Sequence, residues 1–143
     1  MPEPFRSPEE LREVIDRLLA AMLRDELLIP RFAHYRVSHE LRVTDTDQVL
    51  QARSLPPGSA VSGEWHWPET REQRWPVAVR FAMSADVMNR YLHGREPLVL
   101  AVARRRIRVS GDVKAALGII PLRERTTELY EQLVATDYPH LAL

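Results

Sequence analysis

Cysteine is absent from the 143 residues, which excludes a disulfide framework, a thiolate nucleophile, an iron–sulfur cluster and a cysteine-type zinc site. Lysine is almost absent, since Lys114 is the only one among twenty basic residues and the others are arginine. Charge of one sign is not in excess: 20 basic residues meet 20 acidic ones, so no global field draws the chain to nucleic acid. The five glycines, at 58, 63, 94, 111 and 118, are isolated, which leaves no glycine-rich loop for a nucleotide phosphate. Long hydrophobic runs are also missing, and nothing approaches the roughly 20 apolar residues that span a bilayer. The opening Met-Pro-Glu-Pro lacks the basic-then-apolar pattern of a secretion signal, so the expected location is cytoplasmic, with at most peripheral membrane contact.

What is present has the balance of a globular chain, 45% hydrophobic and 28% charged, and the length predicts one domain over residues 1–143. Charge is unevenly spread along it. Residues 1–72 carry 9 basic and 13 acidic groups and residues 73–143 carry 11 and 7, so an anionic group prefers the second half.

Ser7-Pro8-Glu9-Glu10 combines a serine cap, a proline at the first helical position and a glutamate three residues after the cap. It predicts a long helix over about 8–29, with Leu11, Val14, Ile15, Leu18 and Met22 on one face and Pro30 as the stop. From Tyr35 the period changes to two through Val37, His39, Leu41 and Val43, which predicts a half-buried strand followed by a turn at residues 44–47. Residues 48–55 read as its hairpin partner and 60–67 as a weaker strand with Trp65 and Trp67 on one face. Residues 77–83 alternate strongly; Ser84 then caps a short helix that ends at Gly94. An apolar stretch over 98–103, three arginines and a last strand over 107–110 lead to Gly111-Asp112, where glycine bends the backbone and aspartate caps a helix. That helix is interrupted around Gly118 to Pro121 and resumes with Leu122, Leu129, Tyr130 and Leu133. The order predicts an α+β fold, a mainly antiparallel sheet covered on one face by helices.

The segment 77–122 resembles the SCP2 family, the sterol carrier protein-2 domain. The residues that carry the likeness are Val77 to Met83, Ser84 to Gly94, and Arg106-Ile-Arg-Val-Ser-Gly-Asp112 with the helix after it. The resemblance implies a five-stranded sheet with an apolar tunnel between sheet and helices. It implies a non-enzymatic role, binding or transfer of a lipid, sterol, fatty-acyl or isoprenoid-quinone ligand. Phe81, Met83, Met88, Leu92, Ile107, Val109, Leu117 and Ile120 are then the expected lining. Arg104, Arg105 and Arg106 stand where family members often have a glycine-containing turn, and would meet a headgroup. The pattern is similar to bacterial SCP2 proteins that assist ubiquinone biosynthesis. Leu141-Ala142-Leu143 lacks the basic residue of a peroxisomal signal. A rival reading is an interaction module with a closed tunnel, forming a homodimer or serving a lipid or quinone biosynthetic enzyme.

No other chemistry is nominated. Val109-Ser110-Gly111 is only part of a hydrolase elbow, and His34, His39, His66, His93 and His140 lack metal-binding spacing. The expectation is no catalytic residue, no metal and no cofactor. The arginine cluster alone reads as a solvated strand edge, and the tryptophans and methionines alone read as core.

Overall fold

The computed structural model describes residues 3–143. Helix α1 (Pro8–Arg24) starts as its cap requires: Ser7 Oγ accepts the Glu10 N–H at 3.0 Å, and Glu10 reaches back to the Arg6 N–H at 3.1 Å. It ends five residues earlier than its apolar stripe. Asp25 turns the chain by accepting the Leu27 and Leu28 N–H groups, and Arg125 Nη2 clamps the same carboxylate at 2.8 Å. Pro30 therefore does not stop a helix; it lies in the first turn of α2 (Ile29–Tyr35), where its missing N–H costs nothing. Tyr35 belongs to that helix, Arg36 is left-handed at φ 47°, and the strand expected from Tyr35 begins only at Ser38.

Strands β1 (Ser38–Val43), β2 (Gln48–Ser54), β3 (Gly63–His66), β4 (Val79–Met83) and β5 (Arg108–Gly111) form one sheet in the order β3-β2-β1-β4-β5. β1 and β4 are parallel and every other pair is antiparallel. Between β4 and β5 run α3 (Ala85–Leu92) and α4 (Leu98–Ala103); α5 (Val113–Leu117) and α6 (Arg123–Asp137) follow. The α+β expectation holds, with helices gathered on one sheet face. Leu11, Val14, Ile15 and Leu18 of α1, Met88 and Leu92 of α3, and Tyr130 and Val134 of α6 share one core with Val43, Leu50, Val79, Phe81 and Met83.

The caps between these elements are local. Ser84 Oγ accepts the Val87 N–H, Asp45 of the β1–β2 turn takes the Ala85 N–H, and Gly94 at φ 75° closes α3. Gly111 has φ 91°, and a Cβ there would lie 2.6 Å from the Ala78 carbonyl oxygen, so glycine is required. Asp112 then accepts the Lys114 and Ala115 N–H groups at the start of α5.

The opposite sheet face is less polar in its exposure than alternation implies. Glu40 and Gln51, outward-facing by period, are 6% and 0% exposed: Gln51 Nε2 donates to Glu40 Oε1 at 3.0 Å, and Trp75 lies against Gln51. Gln51 exchanges hydrogen bonds with the Trp75 backbone at 2.7 and 3.1 Å, and Trp75 stacks on His66 at 3.7 Å. The chain's last turn is anchored from the helical side: Tyr130 donates to Asn89 Oδ1 at 2.6 Å, while Asn89 Nδ2 and His93 Nε2 bond the Leu141 carbonyl. Tyr130→Phe would strip a fully buried amide oxygen of its donor, with an expected loss of about 2 kcal/mol. Urea unfolding of the two proteins measures it; an unchanged midpoint would show that the hydroxyl contributes nothing net.

Candidate functional site

The helix-facing side of the sheet is organised in cross-strand rows. One row runs Trp65–Ala52–His39–Val79–Gly111, the next runs Leu50–Leu41–Phe81–Val109, and Ser54 faces Gly63 beyond Ala52. Small residues thus collect toward β2 and β3 and leave room on this face of the sheet. The result is an apolar cavity of about 210 Å³ between sheet and helices.

Its floor is Ala52, His39, Leu41, Leu50, Phe81 and Met83; its roof is Leu18, Leu19, Met22 and Leu23 of α1, Phe32 of α2 and Met88, Tyr91 and Leu92 of α3. Leu98, Ile119 and Leu122 close it further along the chain. The amphipathic face of α1 contributes to the roof and a period-two strand to the floor, while strand register and helix placement decide which residues meet. Gly63 permits close approach, since a Cβ there would lie 3.0 Å from Leu23 Cδ2 and 2.8 Å from the Arg53 carbonyl oxygen.

Several polar groups on the lining are engaged within the fold. Ser54 Oγ donates to the Phe32 carbonyl, Ser62 Oγ to that of Leu23 and Thr126 Oγ1 to that of Leu122. Arg53 is paired with Glu64 through Nε at 2.8 Å, and Arg123 donates to the Gly94 carbonyl at 3.0 Å beside the Tyr91 ring. Among the described residues, the buried side-chain oxygens without a partner are Thr46 Oγ1 and Gln48 Oε1, neither of which lines the cavity. The wall presents mainly apolar surface, which suits a ligand with little to hydrogen-bond.

His39 is the exception in kind. Burial in this apolar wall pushes its imidazole down to about 4, with the Ala115 backbone opposing in part, and its ring meets Phe81 edge-to-face at 5.4 Å. It is neutral at pH 7. Burial also pushes the Tyr91 phenol up to about 12, so that group stays protonated.

Of the expected lining, Phe81, Met83, Met88 and Leu92 meet at the cavity; Ile107, Val109, Leu117 and Ile120 do not. Ile107 is buried in the core beyond it, and Val109 packs against that core from β5. Leu117 is 49% exposed because the short α5 turns Ala116 inward instead, and Ile120, in the turn after it, is 45% exposed. Arg104, Arg105 and Arg106 also lie off the lining; Arg106 Nε is paired with Glu96 at 2.6 Å. Period two marked His39 and Leu41, but Ala52 became a site residue only through its register with His39. Trp65 and Trp67 share a face as expected, and both indoles donate to Asp16 of α1, at 2.8 and 2.7 Å. Among the described residues no group of three His, Asp or Glu converges as a metal site.

No family model matches the sequence, and no curated protein matches it. Solved structures do match the fold. The UbiJ-SCP2 ubiquinone synthesis protein superposes with a TM-score of 0.61 at 13% identity, over 83% of this chain and 96% of that one. The chain has an SCP2-like fold. Sterol carrier protein domain 2 of Helicoverpa armigera superposes at 0.50 with 11% identity, over 90% of this chain and 93% of that one. Two structures of the sec-alkyl sulfatase Pisa1, from Pseudomonas sp., give TM-scores of 0.61 and 0.53 at 13% and 11% identity. They cover 85% and 78% of this chain, but the chain spans only 17% and 15% of the sulfatase's length. The SCP2-like fold therefore occurs both as a nearly whole chain and as a small part of a long one.

Proposed function

We propose that this protein binds or transfers a hydrophobic ligand, of lipid, sterol, fatty-acyl or isoprenoid-quinone type, and carries out no reaction on it. The observation that carries the reading is the cavity of about 210 Å³ with its mainly apolar wall. A single water needs roughly 10–15 Å³ on such a measure, and an aliphatic cavity of about 150 Å³ stays dry and accepts benzene. Space of this size, lined by Phe81, Met83, Met88 and Leu92, is kept from collapse by α1 and the sheet. Burial at about 25 cal/mol per Å² supplies the driving force, and the methionines adapt the wall to the ligand's shape. The names of the sterol carrier and ubiquinone synthesis structures support a ligand of this chemistry.

Native mass spectrometry of the purified protein, followed by organic extraction, tests it. The expected result is a stoichiometric lipid or quinone, or saturable one-to-one uptake of a fluorescent fatty acid by the stripped protein. A clean protein that also refuses the fluorescent probe would overturn the reading in favour of a closed interaction module.

A further inference from the structure

Helix α4 turns two unlike faces to its surroundings. Leu98 and Ala101 point inward, at 6% and 1% exposure, and Leu98 reaches the cavity wall. Val99, Leu100 and Val102 are 66%, 44% and 38% exposed, an aliphatic patch on a single six-residue helix. The turn that follows presents Arg104 and Arg105 to solvent, and Arg95 is exposed just before the helix. Arg105 stands at φ 60°, a left-handed position that favours glycine, yet carries a guanidinium.

The exposed charge along residues 95–111 is of one sign. Glu96 is the only acid between residues 95 and 111; it is 7% exposed and held by Arg106 at 2.6 Å and Arg90 at 3.4 Å. Arg104 and Arg105 have no ion-pair partner among the described residues. Exposed aliphatic side chains beside unpaired guanidinium groups match the two layers of a lipid leaflet. The aliphatics enter the acyl boundary and the arginines meet phosphates, to which their planar donors are suited.

We propose that the outer face of α4 and the arginine turn after it dock on an anionic lipid leaflet. With no net charge on the chain, the attraction rests on local clusters such as this one, and α4 then links the leaflet to the cavity through Leu98. The surface stands independently of ligand binding, because leaflet docking needs no open cavity.

The test is co-sedimentation of the stripped protein with vesicles of phosphatidylcholine, alone or mixed with phosphatidylglycerol, at low and high salt. Each arginine near an acidic surface strengthens partition about fivefold, so three predict roughly a hundredfold preference for the mixed vesicles, lost at high salt. Arg104→Gln/Arg105→Gln is expected to weaken mixed-vesicle binding about thirtyfold and leave circular dichroism and fluorescent fatty-acid uptake unchanged. Val99→Ser/Val102→Ser is expected to weaken binding while retaining the anionic preference. Equal binding to both vesicle types, or an arginine variant that binds like wild type, would overturn the proposal. So would a dimer in sedimentation equilibrium that Val99→Ser/Val102→Ser dissolves, since the patch would then belong to a second copy.

Discussion

Ala52→Phe is expected to weaken uptake of a fluorescent fatty acid about a hundredfold while leaving the stripped protein at least as heat-stable as wild type. Ala52 lies between Trp65 and His39 in the cross-strand row that floors the cavity, and its small side chain is one reason the space exists. A benzyl group there enters space that is already empty, so overpacking is not the dominant cost, and an aromatic residue suits a strand better than alanine. Each methylene kept out of the cavity forfeits about 0.8 kcal/mol, so displacing about four weakens binding by roughly two orders of magnitude. Fluorescence titration measures the affinity and a thermal melt the stability. Normal uptake by a folded variant would place the ligand elsewhere. Leu117→Ser is the matched control: at 49% exposure and off the lining, it should bind as wild type does. Met83→Arg should also end uptake, but Met83 is only 7% exposed, and an unpaired guanidinium there costs folding stability as well. The alanine site separates the two effects.

The fold was legible wherever a short stretch of chain decides its own conformation. Ser7 with Glu10, Ser84 with Gly94, and Gly111 with Asp112 act through contacts within a few residues, and each does in the structure what its side chain permits. The break after α1 was only partly of this kind. Leu27, Leu28 and Ile29 continue the apolar pattern, and Asp25 turns the chain through its own neighbours' N–H groups while Arg125, a hundred residues away in sequence, holds the same carboxylate. Gln51 misleads for a related reason: alternation places it outward correctly, but Trp75, 24 residues further along the chain, packs against it. The cavity was half legible. Phe81, Met83, Met88 and Leu92 lie on adjoining elements whose pattern shows which way they face, so the resemblance and the periodicity agree there. Ala52 and the roof residues of α1 require the strand register and the helix placement, neither of which periodicity contains.

Acid is expected to weaken the fold through a residue of that same wall. The His39 imidazole is held neutral at about 4 in the folded protein, whereas in the unfolded chain it titrates near 6.5. Between those two values the unfolded state carries the additional proton. Stability from this group is therefore complete above about pH 6.5, falls as the pH drops, and is spent by about pH 4, where the folded ring is protonated too. The window spans about 2.5 pH units, which amounts to roughly 3 kcal/mol, a large share of a small domain's stability. Other groups act at the low end, among them Asp25, whose carboxyl is held below its ordinary range chiefly by the Arg125 hydrogen bonds. The measurement is consequently a comparison: urea unfolding of wild type and His39→Leu at pH 7 and pH 4. Leucine cannot take a proton, so the variant should lose about 3 kcal/mol less than wild type over that interval, and parallel losses would sink the argument. A bound ligand deepens the effect, because apolar chain packed on the ring disfavours the imidazolium further. Fluorescent fatty-acid affinity should thus decline below about pH 5 in wild type and stay nearly flat in His39→Leu, tying the acid response to the cavity wall rather than to surface charge.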